Sequence, residues 1–269
     1  MSLPTILHKI IQQKHDEIKE GHTALSLANA KAQAGDCPPT RGFAKQLVNQ
    51  VASGQIGIIA ELKRASPSKG VIRKNFDPES IAISYQNGGA TCLSILTDQL
   101  FFQGHCNHLK QARAAVTLPL LRKDFMIDPW QVYESRIIGA DCILLIASAL
   151  SDIQLADFNG LAQELGMSVL LEVHSEGELE RALPLKNALL GVNNRNLHTF
   201  EVSLNNTFTL LPLIPDDRLV ITESGIHTQD DVNKMLNKKV KAFLIGEAFM
   251  RHDNPGEALN NILRDCSLS

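Results

Sequence analysis

Eight short, almost wholly apolar runs, each followed by a longer stretch of helical period, dominate the chain from about Gly57 onward. They are Ile58–Leu62, Cys92–Leu96, Pro119–Arg122, Cys142–Ile146, Val169–Glu172, Leu189–Val192, Leu219–Thr222 and Ala242–Ile245. Runs this short that are apolar on both faces suit parallel strands covered by helices. Parallel neighbours need long crossovers, and the intervening segments supply them. The helix starts carry their own chemistry. Asp77-Pro78, Asp128-Pro129 and Asn254-Pro255 put a capping side chain before proline at the first helical position. Ser151…Gln154, Ser175…Glu178 and Thr228…Asp231 have the spacing of capping boxes or of close relatives. Eight strands with their helices predict an α/β fold, a (β/α)8 TIM barrel. An open doubly wound sheet is the alternative, but no Gly-x-Gly-x-x-Gly follows the first strand.

Ahead of the first strand, Leu3–Lys19 has helical periodicity through Ile6, Leu7, Ile10, Ile11 and Ile18, and Phe43–Val51 reads as a second helix. Gly35-Asp36-Cys37-Pro38-Pro39 between them reads as a loop. The expectation is one barrel domain over residues 1–269, with 1–54 as an N-terminal helical extension packed on it.

A length of 269 residues fits one such barrel. A net charge of −3 provides no basic field for nucleic acid or a membrane surface. Positive charge is local, in Lys63, Arg64, Lys69, Arg73 and Lys74, which suits a small anionic ligand. The five cysteines (Cys37, Cys92, Cys106, Cys142, Cys266) are scattered, as in a reducing compartment. Met1–Glu20 threads Lys and His through its apolar residues, unlike a signal peptide. No apolar run approaches the roughly 20 residues that span a bilayer. A cytoplasmic protein is expected.

The strand ends are polar where a core would be apolar. Glu61 and Lys63 fall on alternate positions of the first strand and share a face. Lys123-Asp124-Phe125, Glu172, Asn193-Asn194-Arg195, Glu223-Ser224-Gly225 and Gly246 close the third, fifth, sixth, seventh and eighth. Taken singly, Lys123 and Glu172 read equally well as a structural ion pair, and Asn193-Asn194 as a turn. Three carboxylates and two ammonium groups converging on one barrel mouth are costly unless paired or used. Catalysis is therefore assigned to Glu61, Lys63, Lys123, Glu172 and Glu223. Glycines after strands seven and eight, Gly225 and Gly246, sit where barrels commonly hold a phosphate on backbone N–H groups. His105-Cys106-Asn107-His108 offers metal-capable side chains, but no second cluster accompanies it, so no metal site is assigned. His174 and His227 follow the fifth and seventh strand ends, where a side chain can face the pocket, but read better as loop residues.

In this order, the motifs resemble the indole-3-glycerol phosphate synthase family over nearly the whole chain. The resemblance rests on Ala60-Glu61-Leu62-Lys63-Arg64-Ala65-Ser66-Pro67-Ser68-Lys69-Gly70, Leu96-Thr97-Asp98 with Phe102-Gln103-Gly104, and Arg122-Lys123-Asp124-Phe125. It continues through Leu171-Glu172-Val173-His174, Gly191-Val192-Asn193-Asn194-Arg195 and Glu223-Ser224-Gly225-Ile226. It implies an N-terminal segment over the substrate mouth. It also implies conversion of 1-(2-carboxyphenylamino)-1-deoxyribulose 5-phosphate to indole-3-glycerol phosphate, carbon dioxide and water, with no cofactor. By the same resemblance Lys123 is the general acid of ring closure, and Glu172 serves the dehydration with Lys63 and Glu61. Asn193 joins the catalytic set, and with Ser66, Arg195, Glu223 and Ser224 it holds the substrate's carboxylate and hydroxyls. Phe102, Phe125 and Leu144 pack the anthranilate ring. Lys63, Gly225, Gly246 and Glu247 surround the phosphate.

Three positions depart from the family pattern. Asn196 replaces Asp and is expected to weaken a charge contact that orients Arg195. Glu247 replaces Ser, so its carboxylate must turn away from the phosphate. His105 replaces Ser at a helix start. A phosphoribosylanthranilate isomerase would need a Cys at the first strand end, which is absent. A non-catalytic phosphate-binding barrel would be expected to have lost some of the five charged groups. The expected partners are the small phosphorylated substrate and, for a monomer, other tryptophan-pathway enzymes that receive its product.

Overall fold

The computed structural model describes residues 5–264; Leu3 and Cys266, named above, lie outside the described residues. The barrel strands are β1 (Gly57–Leu62), β2 (Cys92–Leu96), β3 (Leu120–Lys123), β4 (Cys142–Ile146), β5 (Ser168–Val173), β6 (Leu189–Asn193), β7 (Leu219–Glu223) and β8 (Ala242–Ile245). All eight are parallel and close on themselves, β1 pairing with both β2 and β8. The barrel expectation is met. A two-stranded ribbon, Ala65–Ser66 against Gly70–Val71, folds the loop after β1.

Alternation decides which side chains reach the interior. Ile59, Cys92, Leu121, Cys142, Leu144, Leu170, Ile221 and Leu244 form the inner core. Their neighbours Ile58, Ala60, Leu93, Leu120, Ile143 and Val169 pack outward against the helices. Registers such as Ile59 with Cys92 and Leu244 put inward residues of adjacent strands side by side. The next inward positions toward the C-terminal ends include Glu61, Lys123, Glu172, Asn193 and Glu223, so one parity carries both floor and site.

Capping works as the sequence suggests at most starts. Asp128 and Gln131 close a capping box at α6 (Pro129–Ile137), and Thr228 and Asp231 close one at α10 (Gln229–Leu236). His105 caps α5 (Cys106–Ala115), its Nδ1 accepting the Asn107 N–H at 3.0 Å. At α8 (Glu176–Ala182) the pattern is incomplete. Ser175 accepts the Glu178 N–H, but the Glu178 carboxylate turns to His174.

The N-terminal extension wraps the barrel from top to bottom. Helix α1 (Thr5–Ala24) brings Ile6, Leu7 and Ile10 to the mouth at the C-terminal strand ends. Trp130 of α6 lies against Gly21 and ties its Nε1 to the Leu25 carbonyl at 2.7 Å. Helix α2 (Leu27–Gly35) follows, and α3 (Phe43–Ala52) plugs the opposite end, where Phe43 and Leu47 join the inner core.

Candidate active site

All of the sequence-assigned site residues line one cavity at the C-terminal mouth. Five charged side chains form its floor. The Lys63 ammonium sits 2.7 Å from Glu61, and that of Lys123 sits 2.6 Å from Glu223 and 3.3 Å from Glu172. Glu172 also accepts from Asn193 Nδ2 at 3.1 Å, while Asn193 Oδ1 accepts the Arg195 N–H at 3.0 Å. The aromatic wall is Phe102 and Phe125, ring centroids 6.1 Å apart, and Leu144 lines the same cavity.

Two ammonium groups against three carboxylates leave the ring one negative charge in excess, and burial makes that excess costly. Burial pulls Lys123 down, but Glu223, Glu172 and Glu61 more than reverse it and hold the ammonium charged. Burial pushes Glu61 up, and Lys63 and Lys123 outweigh it to keep that carboxylate ionised. Glu172 is depressed likewise: Lys123, His174 and the Asn193 hydrogen bond overcome its burial. Glu223 is the exception. Burial, reinforced by Glu172 and Glu61, pushes it up to about 7 against the pull of Lys123. Of the three carboxylates, Glu223 is therefore the one that takes up a proton most readily as pH falls.

Two glycines pack directly against this floor. A Cβ on Gly191 would strike Glu223 Oε1, and one on Gly246 would come within 2.5 Å of Glu61 Oε1. After β7 the chain turns through two left-handed residues, Ser224 at φ 63° and Gly225 at φ 88°. A non-glycine residue there is strained by about 1 kcal/mol or more. Asn194 anchors the turn, Nδ2 donating to the Glu223 and Ser224 carbonyls at 3.1 Å.

The departures resolve geometrically. Asn196 Oδ1 accepts the N–H groups of His198 and Thr199, and Arg195 is placed instead by Asn193, the Phe200 carbonyl and Glu247. Asn196 thus makes a local turn, and the orientation of Arg195 rests on these other groups. The Glu247 carboxylate points to Arg251 at 2.7 Å, with Arg195 at 4.0 Å.

Sequence reading missed part of the wall. Ile6, Leu7 and Ile10 come from α1, and Leu197 and Phe200 from the loop after β6. An i, i+4 apolar spacing announced the α1 face and the family resemblance set the N-terminal segment over the mouth, but neither singled out these side chains. His227 lines the cavity, the less favoured of its two readings from the sequence. His174 is also more than a loop residue: its Nε2 is 3.3 Å from Glu172 and its Nδ1 is 3.2 Å from Glu178.

Solved barrels of low identity share the fold. The chain superimposes with a TM-score of 0.64 on 3-hexulose-6-phosphate synthase from Salmonella typhimurium, at 11% identity over 78% of this chain and 97% of that one. For the tryptophan synthase alpha subunit of Legionella pneumophila the score is 0.62, at 12% identity over 84% and 98%. For thiamine phosphate pyrophosphorylase from Pyrococcus furiosus it is 0.59, at 15% identity over 78% and 94%.

Fold and floor together define a (β/α)8-barrel enzyme equipped for acid–base chemistry at its C-terminal mouth. Residues 7–262 match the family model of indole-3-glycerol phosphate synthase, and the chain belongs to that family. It is a carboxy-lyase of tryptophan biosynthesis, converting 1-(2-carboxyphenylamino)-1-deoxyribulose 5-phosphate to indole-3-glycerol phosphate. Its substrate is accordingly a phosphorylated small molecule. No helix of the described residues is long and apolar enough to cross a membrane.

Proposed function

We propose that Lys123 is the general acid of ring closure and that Glu172, with Lys63 and Glu61, manages the dehydration. Attack of the carboxylate-bearing ring carbon on the ketone turns the carbonyl oxygen into an alkoxide, which takes a proton from Lys123. Breaking the bond to the carboxylate releases carbon dioxide and leaves the electron pair to restore the aromatic ring. Departure of the hydroxyl as water takes a second proton, and the carbon beside the nitrogen surrenders one. Asn193 and Glu223 keep Glu172 and Lys123 in place, within 3.1 Å and 2.6 Å respectively.

Phe102, Phe125 and Leu144 stack the anthranilate ring in this reading. Ser66, Arg195 and Ser224 hold its carboxylate and the hydroxyls. Folding the ribulose chain against the ring supplies much of the rate gain by proximity. The phosphate sits on Lys63 and the N–H groups of Gly225, Gly246 and Glu247, whose carboxylate is occupied by Arg251. No cofactor or metal is called for, because ring closure itself creates the electron sink for decarboxylation. Barrel and extension act as one unit, a cytoplasmic monomer whose product passes to the next tryptophan-pathway enzyme.

The observation that carries the reading is the Lys123 ammonium held between Glu223 and Glu172 on the cavity floor. Incubation with the synthetic substrate, followed by indole fluorescence, tests it with Lys123→Ala alongside. Turnover by the parent and almost none by the variant is expected. Full turnover by the variant moves the acid to Lys63.

A further inference from the structure

The reaction has a proton balance that the buried floor must meet. Two protons are delivered, one to the alkoxide and one to the departing hydroxyl. One returns from the carbon beside the nitrogen. The substrate's carboxylate leaves as neutral carbon dioxide, so each turnover draws one proton from solvent. Yet the side chains of Lys123, Glu172 and Glu223 are only 13%, 4% and 2% exposed. Bound substrate would cover them in the mouth, which Ile6, Leu7 and Ile10 of α1 also line.

A second cleft opens on the other side of the loop after β6, and His174, Glu178, His198, Glu201 and Asn206 are among the side chains that border it. His174 stands between the cleft and the floor. Its Nδ1 is 3.2 Å from Glu178 Oε2, and its Nε2 is 3.3 Å from Glu172 Oε1 with no hydrogen-bond partner among the described residues. The other oxygen of Glu172 is 3.3 Å from Lys123. The backbone holds this arrangement: Glu178 accepts the His174 N–H at 2.8 Å, and Asn206 Nδ2 donates to the His174 carbonyl at 3.2 Å. Glu178 forgoes the reciprocal half of its capping box to do so.

The charged groups facing His174 are Glu172 on β5, Glu178 on α8 and Glu223 on β7, with Lys123 on β3 behind Glu172. Arg195 and Glu201 border the cleft beyond. Burial pulls the imidazole down, but the Glu178 hydrogen bond and the three carboxylates reverse this and raise it. An imidazole can accept a proton at one nitrogen while releasing one from the other.

We propose that His174 relays solvent protons from the Glu178 side of this cleft to Glu172 during turnover. The inference rests on the proton-transfer role assigned to Glu172. Because His174 acts through Glu172, it is a positioning residue.

The test compares His174→Asn, His174→Phe and Glu172→Gln with the parent, reading kcat and KM between about pH 5.5 and 9 and against imidazole concentration. The relay predicts that both His174 variants lose about tenfold or more in kcat. The loss should deepen as pH rises, KM should stay near the parent's, and added imidazole should restore turnover. Full kcat in His174→Asn beside an inactive Glu172→Gln overturns the relay and leaves the Glu172 assignment standing. Loss in either His174 variant with a parental pH profile and no imidazole rescue also overturns it, because a purely structural role would suffice. Full activity in Glu172→Gln removes the Glu172 assignment itself, and the relay with it.

Discussion

Replacing Lys14 by Met tests how α1 is held over the mouth. Lys14 is 1% exposed, its ammonium 2.6 Å from Glu17, 3.0 Å from Asp98 and 2.9 Å from Asp124. Asp124 adjoins Lys123, so this clamp joins the extension to the strand end that carries the proposed acid. Met preserves most of the stem's volume and removes the charge, leaving two buried aspartates short of a cation. Removing one partner of a buried pair typically costs about 3–5 kcal/mol.

Here the aspartates keep other partners. Asp98 accepts from the Phe101 and Phe102 N–H groups at 2.8 and 3.2 Å. Asp124 keeps Thr97 at 2.5 Å, the Phe125 N–H at 2.8 Å and Arg122 at 3.3 Å. The expected loss is therefore at the lower end, about 3 kcal/mol. Undocking of α1 lets water reach the aspartates without unfolding the barrel, so part of the loss appears locally. Urea denaturation should show a lower midpoint, trypsin should cut α1 faster, and KM should rise as Ile6, Leu7 and Ile10 leave the wall.

The sign with pH follows from the two partners. Burial raises Asp124, but Lys14 and Arg122 outweigh it and depress the group. Its contribution is therefore present above about pH 4 and lost as pH falls through the lower folded value. Lys14 is pulled down by burial and raised further by Asp124 and Asp98, so its contribution is full below about pH 10 and lost only above it. The gap between parent and variant should be flat across neutrality and shrink in acid. An unchanged midpoint together with an unchanged KM would refute the clamp.

The other expectations concern the floor and the wrap. Glu223, raised to about 7 in the fold, should cost the protein stability as pH climbs from the unfolded value of about 4.3 through that window. Glu223→Gln should flatten the pH dependence of the denaturation midpoint and gain on the parent above neutrality while losing activity; a parallel pH curve would contradict this. Gly191→Ala, whose Cβ meets Glu223 Oε1, should displace that carboxylate from Lys123 and lower kcat at least tenfold, on the order of one lost positioning contact. Parental kinetics would show the floor to be more yielding than its geometry indicates. Gly21→Ala gains about 1 kcal/mol of helix propensity but drives a methyl into the Trp130 ring. The net result should be a loss of about 1–3 kcal/mol by calorimetry, and a stabilised variant would disprove the contact.

Much of the site is legible in the strand-end residues because parity is a local property. Glu61 and Lys63 share a face whatever lies around them, and the structure finds them 2.7 Å apart. Lys123 and Glu223 are 100 positions apart, and only barrel closure puts them in contact. His174 read as a loop residue because nothing in a single sequence marks a capping-box glutamate that turns away from its cap. The family pattern marked Asn196 as weakening a contact to Arg195, but only the backbone geometry shows its oxygen spent on the His198 and Thr199 N–H groups.

By itself the sequence determined the barrel, the mouth at which chemistry occurs and the set of groups on its floor. Each of these follows from periodicity, capping and alternation over a few residues. Only the tertiary structure decided which side chains of α1 meet the mouth, which cation Asp98 and Asp124 share, which carboxylate protonates most readily, and that a histidine joins Glu172 to a second cleft. Those outcomes depend on distances between segments far apart in the chain and on burial summed over all of them. No local pattern carries either quantity.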